Sequence, residues 1–213
     1  MLGLSLATFI SRAVILLIAF PVHEFAHAWT ATQLGDDTPR MNGRLTLNPL
    51  AHLDPIGSLL LLVSGFGWAK PVPVNPYALR QRTPAGMMLV SVAGPFSNLC
   101  LALLAAIPFR AGLVSPYAGV QSGPPALSQF LLEFIFINII LLLFNLIPVF
   151  PLDGEKVAEY FLPPSGQAVL EQIRPYGPMI LLALIFLGSL GSLDLFGRLI
   201  GTPAMRILNL LVT

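Results

Sequence analysis

Charge is what this chain has least of. Only 10% of its 213 residues are Asp, Glu, Lys or Arg, against about 25% in an ordinary soluble domain. That shortage excludes a soluble globular protein and a disordered chain. A net charge of +1 leaves no basic surface to grip phosphate, so nucleic acid is excluded as a partner. Cysteine is nearly absent too: Cys100 stands alone, cannot form an internal disulfide, and reads as a small side chain in an apolar run. No charged segment is long enough to fold as an inserted soluble domain, and there is no tandem repeat or low-complexity tract. What fills the chain is hydrocarbon. Hydrophobic residues make up 55% of it, the mean hydropathy is +0.81, and the natural solvent is a bilayer.

A helix needs about 20 mostly apolar residues to cross the hydrocarbon core. Four stretches qualify: 4–30, interrupted by Pro21 and a polar cluster, 85–108, 127–149 and 179–195. The run 195–213 carries Arg198, Pro203 and Arg206 and reads as a continuation, a short fifth span or an interfacial helix. Residues 56–66 are apolar but too short to span, as in a re-entrant segment. The flanking segments 40–49 and 65–76 are rich in Pro and Gly and partly alternating, which predicts a small membrane-associated β-hairpin. The expected fold is therefore an all-α polytopic membrane protein of four to five transmembrane helices. A β-hairpin or re-entrant element lies between the first two. The organisation reads as one domain over 1–213, with a core at about 10–160 and C-terminal helices at about 177–213. The N-terminal run lacks a basic start and a small-residue cleavage site, so it reads as a span instead of a signal peptide.

Lys and Arg in the connections set the expected orientation. The 65–84 connection holds Lys70, Arg80 and Arg82, the 111–126 connection holds none, and the 151–178 connection holds Lys156 and Arg174. The first and third of these are expected in the cytoplasm, in a protein of the cell membrane.

The chemistry is concentrated in Phe20-Pro-Val-His-Glu-Phe-Ala-His-Ala-Trp29. His23 and His27, at i and i+4, share one face of a helix and can grip one metal ion. Glu24 beside them can reach a water on that ion and take its proton. A scrambled chain of this composition contains the pattern about once in a thousand trials. An ionisable side chain near mid-membrane also costs roughly 2.5–3.5 kcal/mol, which a fold tolerates where the group is paired or does chemistry. Zinc asks for a third protein ligand. His52 is the only other histidine, and the available carboxylates are Asp54, Asp153 and Glu155. Asp153 is the best placed. Asn145-Leu-Ile-Pro-Val-Phe-Pro-Leu-Asp153-Gly154 ends the third span with two prolines and makes Asp153 the expected N-cap of a following helix.

The pair His23-Glu24-x-x-His27 and Asn145-x-x-Pro148-x-x-x-Leu152-Asp153-Gly154 resembles the site-2 protease family of intramembrane zinc metalloproteases. Asn48-Pro49-x-x-His52-x-Asp54-Pro55-x-Gly57, Trp68-Ala-Lys-Pro-Val-Pro-Val-Asn75-Pro76 and Ala93-Gly94-Pro95-x-x-Asn98 are similar to its short members, which lack a PDZ or CBS segment. The resemblance covers about residues 10–160. It implies one Zn2+ per chain held by His23, His27 and Asp153, and Glu24 as the catalytic base. The substrates it implies are transmembrane segments of other membrane proteins. Asn145 matches a family asparagine near the active site, with a substrate contact or an interhelical hydrogen bond as its two readings. His52 and Asp54 read first as turn or hydrogen-bonding residues, and otherwise as supports of the site. Gly94 and Asn98 read as helix-packing residues. Two other classes stay open: an intramembrane divalent-metal transporter and a non-proteolytic relative that binds membrane segments.

Overall fold

The computed structural model describes residues 6–64, 67–116, 127–189 and 194–213. Among them, three helices are long and apolar enough to cross a membrane. They lie in α1 (Leu6–Gln33), α6 (Gly86–Arg110) and α7 (Leu127–Asn145). Between α1 and α6 come four short helices: α2 (Thr38–Met41), α3 (Pro49–His52), α4 (Pro55–Ser64) and α5 (Pro76–Arg82). After α7 follow α8 (Asp153–Phe161), α9 (Pro164–Ile173), a 3₁₀ turn (Arg174–Tyr176), α10 (Gly177–Ser189), a π-helical turn (Gly197–Gly201) and α11 (Thr202–Val212).

Prolines mark the starts of the short helices. Pro39, Pro49, Pro76, Pro164 and Pro203 stand in first turns, where the missing N–H costs nothing and the fixed φ suits the helix. Asn48 and Asn75 cap α3 and α5 by accepting from Leu50 N and from Tyr77 N and Ala78 N, as N-cap asparagines do. Pro21 does not interrupt the first span as the sequence suggested. α1 runs straight through it, and its ring is fully buried, so packing offsets the lost backbone bond.

The expected β-hairpin is absent: no sheet forms among the described residues. The segment after α4 is extended, but its pairing is one isolated antiparallel bridge, Leu53 to Ala69, with Lys70 N donating to His52 O at 2.7 Å. Pro71 and Pro73 have no N–H to extend a ladder. Side chains hold the segment instead. The guanidinium of buried Arg44 donates to the carbonyls of Ala51, Lys70 (3.2 Å) and Pro71 (2.7 Å). Buried Asp36 accepts from Asn75 N at 2.6 Å. Residues 56–64 of the predicted re-entrant stretch form most of α4, whose ten residues rise only about 15 Å. Residues 65–66 and part of the fourth predicted span, 190–193, lie outside the described residues. α10 covers 13 residues of that region.

α6 is the central helix and packs against both α1 and α7. At its far end Ala102, Ala106 and Phe109 join Ile135 and Ile139 of α7 and Ala204, Leu208 and Val212 of α11 in one buried cluster. The chain's last helix is thus a packed element, tied down by Arg110, which donates to the carbonyls of Leu210 and Leu211.

Candidate metal centre

In the second half of α1, His23, Glu24 and His27 are each 8% exposed. The Nε2 atoms of the two imidazoles lie 3.0 Å apart, and the rings meet edge to face at 83°. Asp153 completes the group. Its Oδ2 is 3.3 Å from His23 Nε2 and 3.4 Å from His27 Nε2. Among the described residues this is the one group of three or more His, Cys, Asp or Glu ligand atoms close enough to share an ion.

The chain reaches this geometry through tight turns. After α7, Asn145-Leu-Ile-Pro-Val-Phe-Pro folds back on itself, with Val149 N donating to Ile147 O and Leu152 N to Val149 O. Gly154 then passes so close to the end of α7 that a Cβ there would meet the carbonyl oxygens of Leu146 and Ile147. Only glycine fits, and its neighbour Asp153 is thereby fixed at the first position of α8. Asp153 is not the predicted N-cap: Leu152 holds that position and makes no side-chain bond. The carboxylate faces the imidazoles instead of its own helix.

The hydrogen-bond directions say what the group needs. His23 Nδ1 faces Asn98 Oδ1 at 2.6 Å, and His27 Nδ1 faces the Val90 carbonyl at 2.7 Å. Both partners accept, so both Nδ1 atoms carry the proton, and in a neutral imidazole each Nε2 is then a bare lone pair. Asp153 Oδ2 is buried and has no hydrogen-bond partner. In that neutral state three lone pairs point at one another in a buried space, which a shared metal cation relieves. α6 keeps that space open. A Cβ on Gly94 would sit 2.6 Å from His23 Nε2 and closer still to His27 Nε2. Two imidazole nitrogens and a carboxylate oxygen form a donor set that would suit zinc.

Gly94 and Asn98 thus belong to the site and not merely to helix packing. Their motif, Ala93-Gly94-Pro95-x-x-Asn98, was the available signal. Val90 contributes main chain alone, which no residue pattern discloses. Glu24 stands beside the histidines with no hydrogen bond or ion pair among the described residues. The remaining sequence candidates go elsewhere. Asn145 donates to Leu141 O on its own helix at 3.0 Å, not between helices. Buried His52 bonds Thr46 O at 2.7 Å and lies beside Arg44. Asp54 caps α4, accepting from Ile56 N and Gly57 N at 3.0 and 2.8 Å. Glu155 is buried and engaged by Arg174 and Lys156. Neither His52 nor Asp54 joins the ligand group.

A model of peptidase family M50 matches residues 110–188, which include Asp153 but not the histidines. The whole-chain likeness is broader. The candidate zinc metalloprotease YwhC of Bacillus subtilis (strain 168) is 44% identical over 187 residues, covering 86% of this chain and 83% of that protein. The candidate zinc metalloprotease Rip2 of Mycolicibacterium smegmatis is 32% identical, covering 82% of this chain and 66% of its own length. Rip2 of Mycobacterium tuberculosis (strain H37Rv) is also 32% identical, at 83% and 66%. No solved structure matches the chain. A relative this similar over most of both lengths, together with the matching model, decides the matter: the chain belongs to peptidase family M50, the site-2 protease family.

Proposed function

We propose that this chain is an intramembrane zinc metalloprotease, with one zinc ion per chain, that hydrolyses peptide bonds in or near transmembrane segments of other membrane proteins. One observation carries the reading: His23 Nε2, His27 Nε2 and Asp153 Oδ2 converge on one buried point, with the Glu24 carboxylate beside them and unpartnered among the described residues. Zinc held there supplies a Lewis acid that acidifies water and polarises a carbonyl. His23, His27 and Asp153 hold and orient it. Glu24 takes the proton of the attacking water and returns it to the leaving amine nitrogen. Asn145, whose Oδ1 has no partner among the described residues, stands at the end of α7 and is assigned a substrate contact. The Lys and Arg bias of the connections puts the site toward the cytoplasmic side of the cell membrane.

A transmembrane substrate hides its amides in its own helix and must open before it is cut. The extended segment 69–75 is the proposed seat of the opened strand. Ala69 packs in the cluster of Leu16 and Phe20, and Val74 in the cluster of Ala31 and Val90. The segment therefore runs alongside the part of α1 that bears His23 and His27.

The test is cleavage of a model transmembrane helix in detergent beside a zinc assay. Wild type is expected to bind zinc and cut. Glu24→Gln is expected to keep zinc and lose about 10²–10⁴-fold in rate, and undiminished cleavage removes Glu24 as the base. Asp153→Ala is expected to lose the metal. Val72→Pro and Val74→Pro, which delete N–H groups from the extended segment, test the substrate strand separately.

A further inference from the structure

We propose that Asn98 and Asn138 are positioning residues whose hydrogen-bond chain, anchored on the Phe134 carbonyl, locks His23 into the tautomer that can bind metal. This rests on the zinc reading above. Asn138 Nδ2 donates to Phe134 O at 2.8 Å. Asn98 Nδ2 donates to Asn138 Oδ1 at 2.9 Å. Asn98 Oδ1 then faces His23 Nδ1 at 2.6 Å. Both asparagines are fully buried at 0% exposure, so water cannot substitute for a lost partner.

The direction of the chain is forced from its far end. A main-chain carbonyl can only accept, so Asn138 must turn its amide NH₂ toward Phe134 and its oxygen toward Asn98. Asn98 must then give NH₂ to Asn138 and its own oxygen to His23. That oxygen accepts, so His23 carries its proton on Nδ1, and Nε2 is left bare toward His27 and Asp153. Turning any one amide over sets two acceptors or two donors face to face in a buried space. Three long helices thus share one polar thread: α7 anchors it, α6 relays it and α1 delivers the ligand. An asparagine pair could also serve helix packing alone, but packing does not require this alternation of donor and acceptor. Metal-ligating imidazoles commonly need their other nitrogen fixed in this way, and removing the fixing partner typically costs 10- to 100-fold in metal affinity.

The variants separate the two roles. In Asn138→Leu, Asn98 loses the partner that orients it and can present NH₂ to His23 Nδ1, which forces the non-ligating tautomer. Zinc affinity of the full-length purified protein, by competition with a chelator, is expected to fall 10- to 100-fold, and likewise in Asn98→Leu. A carboxylate has no donor end to misdirect, so Asn98→Asp/Asn138→Leu is expected to return to within about threefold of wild type. With only three histidines in the chain, ¹⁵N spectra of histidine-labelled protein read the His23 tautomer directly: Nδ1–H in wild type and in the double variant, a growing Nε2–H population in Asn138→Leu. Single variants that bind zinc as wild type does, or a double variant no better than Asn138→Leu, overturn the relay and leave the zinc reading intact. Wild type that binds no more zinc than His27→Ala overturns the zinc reading itself and the relay with it.

Discussion

The main-chain carbonyl of Val90 accepts the Nδ1 proton of His27 at 2.7 Å. The second imidazole of the group is therefore oriented by backbone, and no exchange of the Val90 side chain removes that acceptor. Residues 90, 94 and 98 stand one turn apart on α6, and each addresses the histidine pair. Val90 fixes His27, Gly94 leaves the space and Asn98 fixes His23. α6 supplies no metal ligand, yet it shapes the centre as much as α1 does.

Gly94→Ala puts a methyl group into the space between the imidazoles. The expected result is loss of zinc affinity by about 100-fold or more, on the scale of lost ligand geometry. The helical content of the protein should be retained. Zinc titration with circular dichroism checks both. Wild-type affinity in this variant would mean that the ion does not sit between the two Nε2 atoms.

Chelation should lower the melting temperature, because three converging lone pairs lose the cation that reconciles them. Saturating zinc at a hundred times its dissociation constant stabilises by about 2.7 kcal/mol, and re-addition should restore the melting point. Asp153→Ala should melt at the same temperature with and without zinc.

Arg44 is a buried staple for the extended segment. Arg44→Met strands the carbonyls of Ala51, Lys70 and Pro71, and the cost is expected at about 1–3 kcal/mol. Hydrogen exchange at residues 67–75 should accelerate while zinc content stays at the wild-type level.

Glu155 is 2% exposed and relies on Arg174, with Lys156 3.3 Å away as a second cation. Arg174→Met should destabilise by about 1–3 kcal/mol. The low end is expected, since the guanidinium side chain is 33% exposed and solvent screens the pair. Chemical denaturation measures the loss. Zinc content should not change in Glu155→Gln, because Glu155 is committed to its cations and not to the metal.

Glu159 is pushed up by its partial burial, but the Lys156 hydrogen bond and the Lys156 and Arg174 charges bring it net below its ordinary value of 4.5. A depressed carboxyl contributes stability that is present above 4.5 and lost as pH falls through the lower, folded value. Glu159→Gln should flatten that acid limb by less than about 1 kcal/mol, seen as a smaller drop in melting temperature on acidification.

The three long helices and the His23–His27–Asp153 group were legible from the residues because each rests on a strong local signal. α1, α6 and α7 announce themselves by long, mostly apolar runs, and His23, Glu24 and His27 by spacing on one helix face. Asp153 needed its proline-rich approach and the family resemblance. The hairpin was misread because alternation at 67–76 does predict extended backbone, but pairing requires donors that Pro71 and Pro73 lack. The roles of Gly94, Asn98 and Asn138 were hidden for another reason. What an asparagine does depends on which end of its amide faces which neighbour, and that is set by residues on two other helices.

The centre draws on parts of the chain made at very different times. During synthesis His23 and His27 leave the ribosome early, while Asp153 follows only after more than half the protein has been added. The braces on the imidazoles arrive in between, with α6 and then α7. A nascent chain therefore carries an unfinished centre, and its ligand set closes only once the turn behind α7 has been translated and folded back. On the proposed reading, hydrolytic competence would therefore wait on completion of the fold.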